Sequence, residues 1–223
     1  MVAILALVGV TTGALAGHSI DQRIVTAAHR LVLHHALVLD LARHVTHLGT
    51  PVLVDIVAAV ATIGLCLWGR IREAGFVAGV RVSAVIVESV LKSAVHRTRP
   101  VLVHPVAHAQ GFSFPSGHAL GAASVYLPVA LALLAHQQAS IRRAGLLVAV
   151  AICLLVATSR VLLGVHYPSD VIAGLALGGA LASGGWALVV ISRGSRGYRR
   201  RSAPRRRTPR RRERFRQVRP YSP

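Results

Sequence analysis

The stretch from residue 159 to residue 170 holds an arginine, a histidine and a carboxylate at short spacing. His166 precedes Asp170 by four residues, and Arg160 lies six residues before His166. An imidazole that reacts through one ring nitrogen needs an acceptor at the other, and a carboxylate one helical turn away can supply it. Pro168 suits the first turn of a helix that starts here. Taken alone, the pair is equally compatible with a structural hydrogen bond at a helix start.

A second group of cations lies at the end of an apolar run. Lys92 and Arg99 are seven residues apart, which is two helical turns, so they would share a face if the helix continued through both. Pro100 directs Arg99 away from helical geometry. By themselves these cations are also compatible with an anchor at a membrane interface.

A third group is the tetrapeptide from Pro115 to His118, which comes just before another apolar run. Ser116 can cap the helix that follows. Gly117 allows a ligand to approach the backbone closely, and the free N–H groups of a helix N-terminus attract anions. Alone, the tetrapeptide reads equally well as a capped turn with an interfacial histidine.

Together the three groups favour phosphoryl transfer. Three cations suit a dianionic phosphate. A histidine nucleophile backed by an aspartate, with a second histidine as the acid, suits transfer through a covalent intermediate.

These residues resemble the type 2 phosphatidic acid phosphatase superfamily, which includes lipid phosphate phosphatases and vanadium haloperoxidases. The family pattern is Lys, six residues and Arg-Pro; then Pro-Ser-Gly-His; then Ser-Arg, five residues, His, three residues and Asp. This chain contains all of it, in order, at Lys92 with Arg99-Pro100, at Pro115-Ser116-Gly117-His118, and at Ser159-Arg160 with His166 and Asp170.

The resemblance implies a role for each signature residue. His166 would attack phosphorus to give a phosphohistidine, Asp170 would orient it, and His118 would protonate the leaving oxygen. The residues implied to bind phosphate oxygens are Lys92, Arg99, Ser116, Gly117 and Arg160. It implies no metal ion and no other cofactor, because fixed cations take the electrostatic part that magnesium has elsewhere.

Two further expectations concern the neighbours of this site. Glu88 stands four residues before Lys92 and is expected to hold its ammonium group in place. The loop residues His96, Arg97, His104 and His108 are expected to be solvated, with contact to a lipid headgroup as the alternative.

The elements that would position these residues are apolar. Hydrophobic residues make up 53% of the 223 residues and charged residues only 15%, well below the roughly 25% charge of soluble domains. The fold class expected is all-α, a membrane helical bundle of about six transmembrane helices. The runs are 1–17, 52–69, 74–95, 119–135, 144–159 and 171–192. For 1–17, a cleaved signal peptide is the alternative.

The segment 18–51 mixes leucines at helical spacing with histidines, arginines and aspartates. We predict an amphipathic helix at the membrane interface, whose polar residues face lipid headgroups. Metal binding by its histidines is the less favoured alternative.

Basic residues set the predicted orientation and the domain boundary. Loops with Arg70 and Arg72, and with Arg142 and Arg143, fall on the same side as the tail 193–223, which contains 14 arginines. That side is expected to be cytoplasmic, so the signature residues face outward. Arg97, Arg99 and Arg160 break the charge rule on the outer side, which marks them as functional candidates. We therefore divide the chain into a membrane domain, 1–192, and a disordered cytoplasmic tail, 193–223.

The expected function is hydrolysis of a lipid phosphate or a polyprenyl pyrophosphate in the cell membrane. Phosphatidic acid and phosphatidylglycerol phosphate stay open as substrates. A haloperoxidase would use the same anion pocket, but those relatives are mainly soluble and larger. A silent lipid-phosphate-binding protein would not need His118, His166 and Asp170. The tail's expected partner is anionic lipid and not nucleic acid.

Overall fold

The structure, a computed structural model, describes residues 18–202, with side chains for residues 19–193. The predicted run 1–17 and residues 203–223 lie outside the described residues. Within the described part the chain is helical and contains no strand. Its helices are α1 His18–His34, α2 Ala36–Thr46, α3 Pro51–Leu67, α4 Ile71–Val95, α5 Gly117–Leu133, α6 Ala139–Leu162 and α7 Pro168–Ser202, with a 3-10 turn at His47–Gly49 between α2 and α3.

Three of these helices are long and apolar enough to cross a membrane, namely α4, α6 and the part of α7 up to Arg193. They correspond to the predicted runs 74–95, 144–159 and 171–192. The runs 52–69 and 119–135 form α3 and α5, which have 17 residues each. At 1.5 Å per residue such a helix is about 26 Å long, slightly less than a hydrocarbon core of about 30 Å. The predicted count of about six spans is therefore not confirmed.

The segment 18–51 is helical, as predicted, but it is not one helix. α1 and α2 meet at an angle of 114°. Together they are long and apolar enough to form one membrane span that is broken between the two helices. Asp21 and His29 on α1 are buried. The prediction that the polar residues of this segment face lipid headgroups is wrong for these two, because both side chains are turned into the protein.

The short helix α5 occupies the middle of the bundle, where it packs against α7, α6 and α4. Glycines allow α7 to lie close to it. A Cβ atom at Gly174 would come 2.7 Å from the backbone oxygen of Ser116, and one at Gly178 would come 2.6 Å from Cβ of Ala123. The absence of a side chain at these two positions therefore permits the close packing of α7 on α5.

The helix ends nearest the signature residues have local causes. α4 ends at Val95 because His96 adopts a left-handed conformation, with φ of 51°. α6 is closed by Gly164, with φ of 71°, and by a hydrogen bond from the N–H of Val165 to the oxygen of Arg160. α7 begins at Pro168, as its sequence predicts. All these ends lie at one end of the bundle, which we call the site end.

The opposite end of the bundle is held together by Glu73 near the start of α4. Its carboxylate accepts hydrogen bonds from Arg70 at 3.2 Å and from Arg193 at 2.5 Å. Arg70 also donates to the backbone oxygen of Ala132 in α5. The basic residues that set the predicted orientation, Arg70 and Arg72 with Arg142 and Arg143, therefore lie at the same end of the bundle as Arg193. The signature residues lie at the other end. α7 continues past Arg193 to Ser202, so the first part of the predicted tail is helical.

Candidate active site

The signature residues converge at the site end. His118 lies on the first turn of α5 and interacts electrostatically with His166 and with three cations. The cations are Lys92 at the end of α4, Arg99 in the following loop and Arg160 in α6. Asp170, on the first turn of α7, contacts His166. Four helices and two loops thus bring together residues that are up to 78 positions apart in the chain.

His166 is buried, with its two ring nitrogens in different surroundings. Nδ1 lies 3.4 Å from Oδ2 of Asp170 and 3.5 Å from Oγ of Ser113. Nε2 lies 3.1 Å from Nη1 of Arg99. The tautomer that satisfies both sides carries its proton on Nδ1 and leaves the Nε2 lone pair to accept from Arg99. The contact predicted between His166 and Asp170 is present.

Burial lowers the pKa of His166 to about 4, with smaller contributions from Arg99 and Arg160, while Asp170 acts in the opposite direction. The imidazole is therefore neutral at physiological pH. Burial also lowers the pKa of Arg99, and here Asp170 again opposes the shift.

Arg99 is more heavily engaged than its sequence context suggests. Its guanidinium donates to four backbone oxygens, those of Gln110, Gly111, Phe112 and Val165, at distances of 2.8 to 3.3 Å. Since Nη1 also faces Nε2 of His166, every N–H of this side chain has a partner. Arg99 therefore fixes the loop 110–112 against the segment before His166 and directs a positive charge at Nε2.

Two buried polar atoms at the site have no hydrogen-bond partner within the described residues. They are Oγ of Ser116, whose side chain is fully buried, and Nε of Arg160. Arg160 is held from its other side, where Nη1 donates to Oγ1 of Thr46 at 2.8 Å. Buried polar groups are normally satisfied, so both atoms are available to a polar ligand.

Ser116 stands at the N-cap position of α5, as predicted, but its hydroxyl makes no capping hydrogen bond. The prediction that its side chain caps the helix is wrong, because the hydroxyl accepts no hydrogen bond from the N–H groups of the first turn. Its own N–H instead donates to the backbone oxygen of Asp170 at 3.0 Å. The serine thus ties α5 to α7 through its backbone and leaves its hydroxyl unengaged.

Lys92, Glu88 and Gly117 form the remaining side of the site. The Lys92 ammonium donates to Oε1 of Glu88 at 2.6 Å, so the predicted link between these two residues is confirmed. The Glu88 carboxylate lies so close to Gly117 that a Cβ atom there would collide with it. A larger residue at position 117 would therefore displace the Glu88 carboxylate that holds Lys92.

Asp170 is surrounded by hydrogen-bond donors. Its Oδ2 accepts from the N–H of Tyr167 at 2.9 Å and from the hydroxyl of Ser113, and its Oδ1 accepts from Nη1 of Arg97 at 2.6 Å. Tyr167 and Asp170 form the backward half of a capping box, in which a carboxylate on the first turn accepts the N–H that precedes the helix.

The expectation that Arg97 is solvated or contacts a headgroup is wrong. The side chain is buried, stacks on the ring of Tyr167 at 4.3 Å and pairs with two carboxylates. The second carboxylate is that of Asp21, whose Oδ2 lies 2.6 Å from Nη2 of Arg97. Asp21 also accepts the N–H and the hydroxyl of Ser169.

The residues around Asp170 that the sequence did not identify as site residues are Asp21, Ser113 and Ser169. One feature of the sequence pointed to Arg97: like Arg99 and Arg160, it is a basic residue on the predicted outer side, where the positive-inside rule does not expect one. Ser113 stands only three residues before Ser116 in the same loop. Nothing in the sequence indicated a role for Asp21, because its partners Arg97 and Ser169 are 76 and 148 residues away.

Residues 73–193, more than half of the chain, match the PAP2 superfamily. The chain belongs to this superfamily. The match covers all the signature residues and leaves α1, α2 and α3 outside it. The resemblance drawn from the motifs is therefore confirmed.

Two named PAP2 relatives are membrane lipid phosphatases. The chain is 40% identical over 95 residues to phosphatidylglycerophosphatase B of Bacillus subtilis, and 35% identical over 103 residues to a lipid A 1-phosphatase of Rhizobium etli. Each alignment covers 42% of this chain, and 46% and 40% of the relatives. The chain thus spans less than half the length of these curated relatives.

Solved PAP2 structures share the fold over a greater length. The crystal structure of a transmembrane PAP2-type phosphatidylglycerolphosphate phosphatase from Bacillus subtilis has a TM-score of 0.74 and 26% identity, and the match covers 91% of this chain and 96% of that one. Aquifex aeolicus LpxE has a TM-score of 0.56 over 74% of this chain and 92% of its own, with 20% identity. This second likeness concerns the fold alone.

Proposed function

We propose that this protein hydrolyses the phosphate ester or pyrophosphate of a membrane lipid through a phosphohistidine at His166. The observation that carries the proposal is the position of His166 between Asp170 at Nδ1 and Arg99 at Nε2. A neutral imidazole whose Nδ1–H is held by a carboxylate is the form that can attack phosphorus through Nε2.

In the first step Nε2 of His166 bonds to phosphorus as the bond to the lipid oxygen breaks. His118 takes up a proton when the bound dianionic phosphate offsets the cations around the ring, and it gives that proton to the departing oxygen of the lipid alcohol or lipid monophosphate. In the second step water attacks phosphorus, His118 takes back a proton, and the bond to Nε2 breaks to release inorganic phosphate.

The cations of the site stabilise the charge that this transfer places on the phosphoryl oxygens. The Nη1–H of Arg99 that faces Nε2 redirects its hydrogen bond to a phosphoryl oxygen when Nε2 bonds to phosphorus, and the guanidinium keeps its charge. Nε of Arg160 and the Ser116 hydroxyl are buried without partners and donate to the other oxygens. Lys92 and the N-terminus of α5 at Gly117 complete the cradle. These cations support a mechanism without a metal ion.

The test is phosphate release by the purified protein in detergent from a panel of lipid phosphates. The panel contains phosphatidic acid, phosphatidylglycerol phosphate, lipid A and a polyprenyl pyrophosphate. We expect His166→Ala to abolish release while the protein still folds, and wild type to give an acid-labile phosphoenzyme. EDTA is expected to have no effect. Turnover near wild type in His166→Ala, or EDTA inhibition that magnesium reverses, would contradict the mechanism.

A silent lipid-phosphate-binding protein is the other function that the same cradle could serve. It would bind the lipids of this panel and release no phosphate from any of them. The neutral His166 with its paired Asp170 favours the enzyme, because binding alone needs neither.

A further inference from the structure

Through the buried ion pairs of Arg97 with Asp21 and Asp170, α1, the first described helix, is linked to the carboxylate that contacts His166. We propose that Asp21 and Arg97 are positioning residues of the reaction: Arg97 holds Oδ1 of Asp170, and Asp21 holds Arg97 and sets the net charge of this three-residue group. This inference rests on the proposed role of His166 and extends it to a helix outside the segment that matches the superfamily.

The orientation of the Asp170 carboxylate depends on a hydrogen-bond donor to Oδ1. Three donors compete for Oδ2, namely the Tyr167 N–H, the Ser113 hydroxyl and Nδ1 of His166, whereas Arg97 is the donor on Oδ1. A carboxylate that loses its Oδ1 partner is free to rotate about its Cβ–Cγ bond. Oδ2 of Asp170, the acceptor that orients His166, would then move. Arg97 therefore determines the position of the imidazole ring through Asp170.

Arg97 is itself oriented by Asp21 and Ser169. Nη2 donates to Asp21 at 2.6 Å, and Nη1 donates to Oγ of Ser169 at 2.7 Å. The Asp21 carboxylate also accepts the Ser169 N–H at 3.1 Å, so an acid from α1 binds the positively polarised N-terminus of α7. The guanidinium fork thus engages one carboxylate with each of its terminal nitrogens, which a lysine cannot reproduce.

The charges of the group also suit the chemistry. Asp21, Arg97 and Asp170 are all buried and sum to one negative charge. When Nε2 bonds to phosphorus, the His166 ring keeps its Nδ1 proton and becomes a cation. The group then balances that cation, and buried charges are tolerated only when they are paired. Without Asp21, Arg97 alone would neutralise Asp170, and the ring cation would lack a counter-charge.

Asp21→Asn is the decisive variant, because it removes the charge and keeps the shape. We expect kcat to fall by about 10- to 100-fold, the range found when the hydrogen-bond partner that orients a metal-binding histidine is lost. KM should change little, because Asp21 lies behind the carboxylate that orients His166. Arg97→Lys is a second variant that keeps the buried charge and loses the fork, and we expect it to lower kcat in the same way.

A double variant separates positioning from a general loss of structure. If Asp21 acts through Asp170, then Asp21→Asn combined with Asp170→Asn should be no slower than Asp170→Asn alone. Asp55→Asn is the matched control, because it breaks another inter-helix ion pair, with Arg81 at 2.6 Å, that does not touch the site. We expect it to keep the wild-type kcat.

Two results would overturn the inference. One is a folded Asp21→Asn or Arg97→Lys protein with wild-type kcat, and the other is a double variant in which the losses multiply. His166→Ala, assayed in parallel, distinguishes this failure from that of the proposed function. An inert His166→Ala beside a fully active Asp21→Asn removes the inference alone, whereas an active His166→Ala removes the mechanism on which it rests.

Discussion

His166 and Arg160 each contact a second residue that determines which of their nitrogen atoms is available for the reaction. The clearest case is His166, where burial keeps the ring neutral and Asp170 determines which nitrogen carries the proton. Arg160 shows the same principle in a phosphate-binding side chain, since Thr46 holds Nη1 and leaves Nε to a ligand. The signature therefore includes the residue that orients His166, whereas Thr46, which orients Arg160, lies outside it.

The low pKa of His166 leads to a prediction at this scale. The ring should stay neutral as the pH falls from 7 and gain its second proton only near pH 4. The nucleophile is thus present above that pH and lost below it. The measurement is the histidine ¹⁵N spectrum of the detergent-purified protein as a function of pH, with His166→Gln to assign the signal. A midpoint near the ordinary value of about 6.5 would contradict the burial argument.

The signature residues were predictable because each motif is local and its spacing places it at the boundary of an apolar run. Lys92, His118 and Asp170 all lie within the last or first turn of a helix, as expected from the sequence. The pairing of Asp21 with Arg97 was not predictable, since tertiary packing brings together residues 76 positions apart. Local sequence reasoning treats such a charge as solvated.

At the scale of elements, the contact between α5 and α7 sets the distance between the two halves of the site. α5 carries Ser116 at its start and His118 in its first turn, while α7 carries Asp170. Gly174 and Gly178 allow the two backbones to touch. Helix bounds were less predictable than helix existence, because the ends depend on single residues such as His96 in its left-handed conformation.

The neighbours Gly178 and Gly179 provide a prediction at the element scale. A methyl group at Gly178 would meet α5 at 2.6 Å, whereas one at Gly179 has nothing within 4 Å. We expect Gly178→Ala to lower the thermal midpoint and turnover, since overpacking costs about 1–3 kcal/mol and moves α7 away from α5.

Gly179→Ala is the matched control for this change and should leave both the midpoint and turnover near wild type. Equal effects of the two substitutions would show that general helix propensity, and not the contact with α5, determines the outcome.

At the scale of the whole molecule, the bundle has two chemically different ends. The site end holds the signature residues, and the opposite end holds Glu73 with Arg70 and Arg193. The 25 residues of α4 separate Glu73 from the site end by roughly 35 Å. At about 8 Å of screening length, charges at one end have little effect on exposed charges at the other.

This separation predicts that the tail does not take part in catalysis. Deletion of residues 194–223 should leave turnover per folded molecule within a few-fold of wild type, because even a tenfold loss would need about 1.4 kcal/mol at the transition state. Deletion of 193–223 also removes the Arg193 partner of Glu73 and should lower the thermal midpoint further. A hundredfold loss of turnover in the shorter deletion would show that the tail reaches the site.

The proposed outward orientation has its own test. In a Cys66→Ser background, we expect Val103→Cys, at a position that is 90% exposed in the loop at the site end, to react with an impermeant thiol reagent on intact cells. Gln137→Cys, in the loop at the opposite end, should react only after permeabilisation. The reverse pattern would place the active site in the cytoplasm.

The hydrogen bond between Asp21 and Ser169 has a consequence for biosynthesis. Asp21 leaves the ribosome 76 residues before Arg97 and 148 residues before Ser169. During translation its carboxylate can meet Arg97 once the loop after α4 has been made, but it stays without Ser169 until α7 begins. The first described helix therefore completes its contacts only when α7 closes on it, so catalytic competence arises late in synthesis.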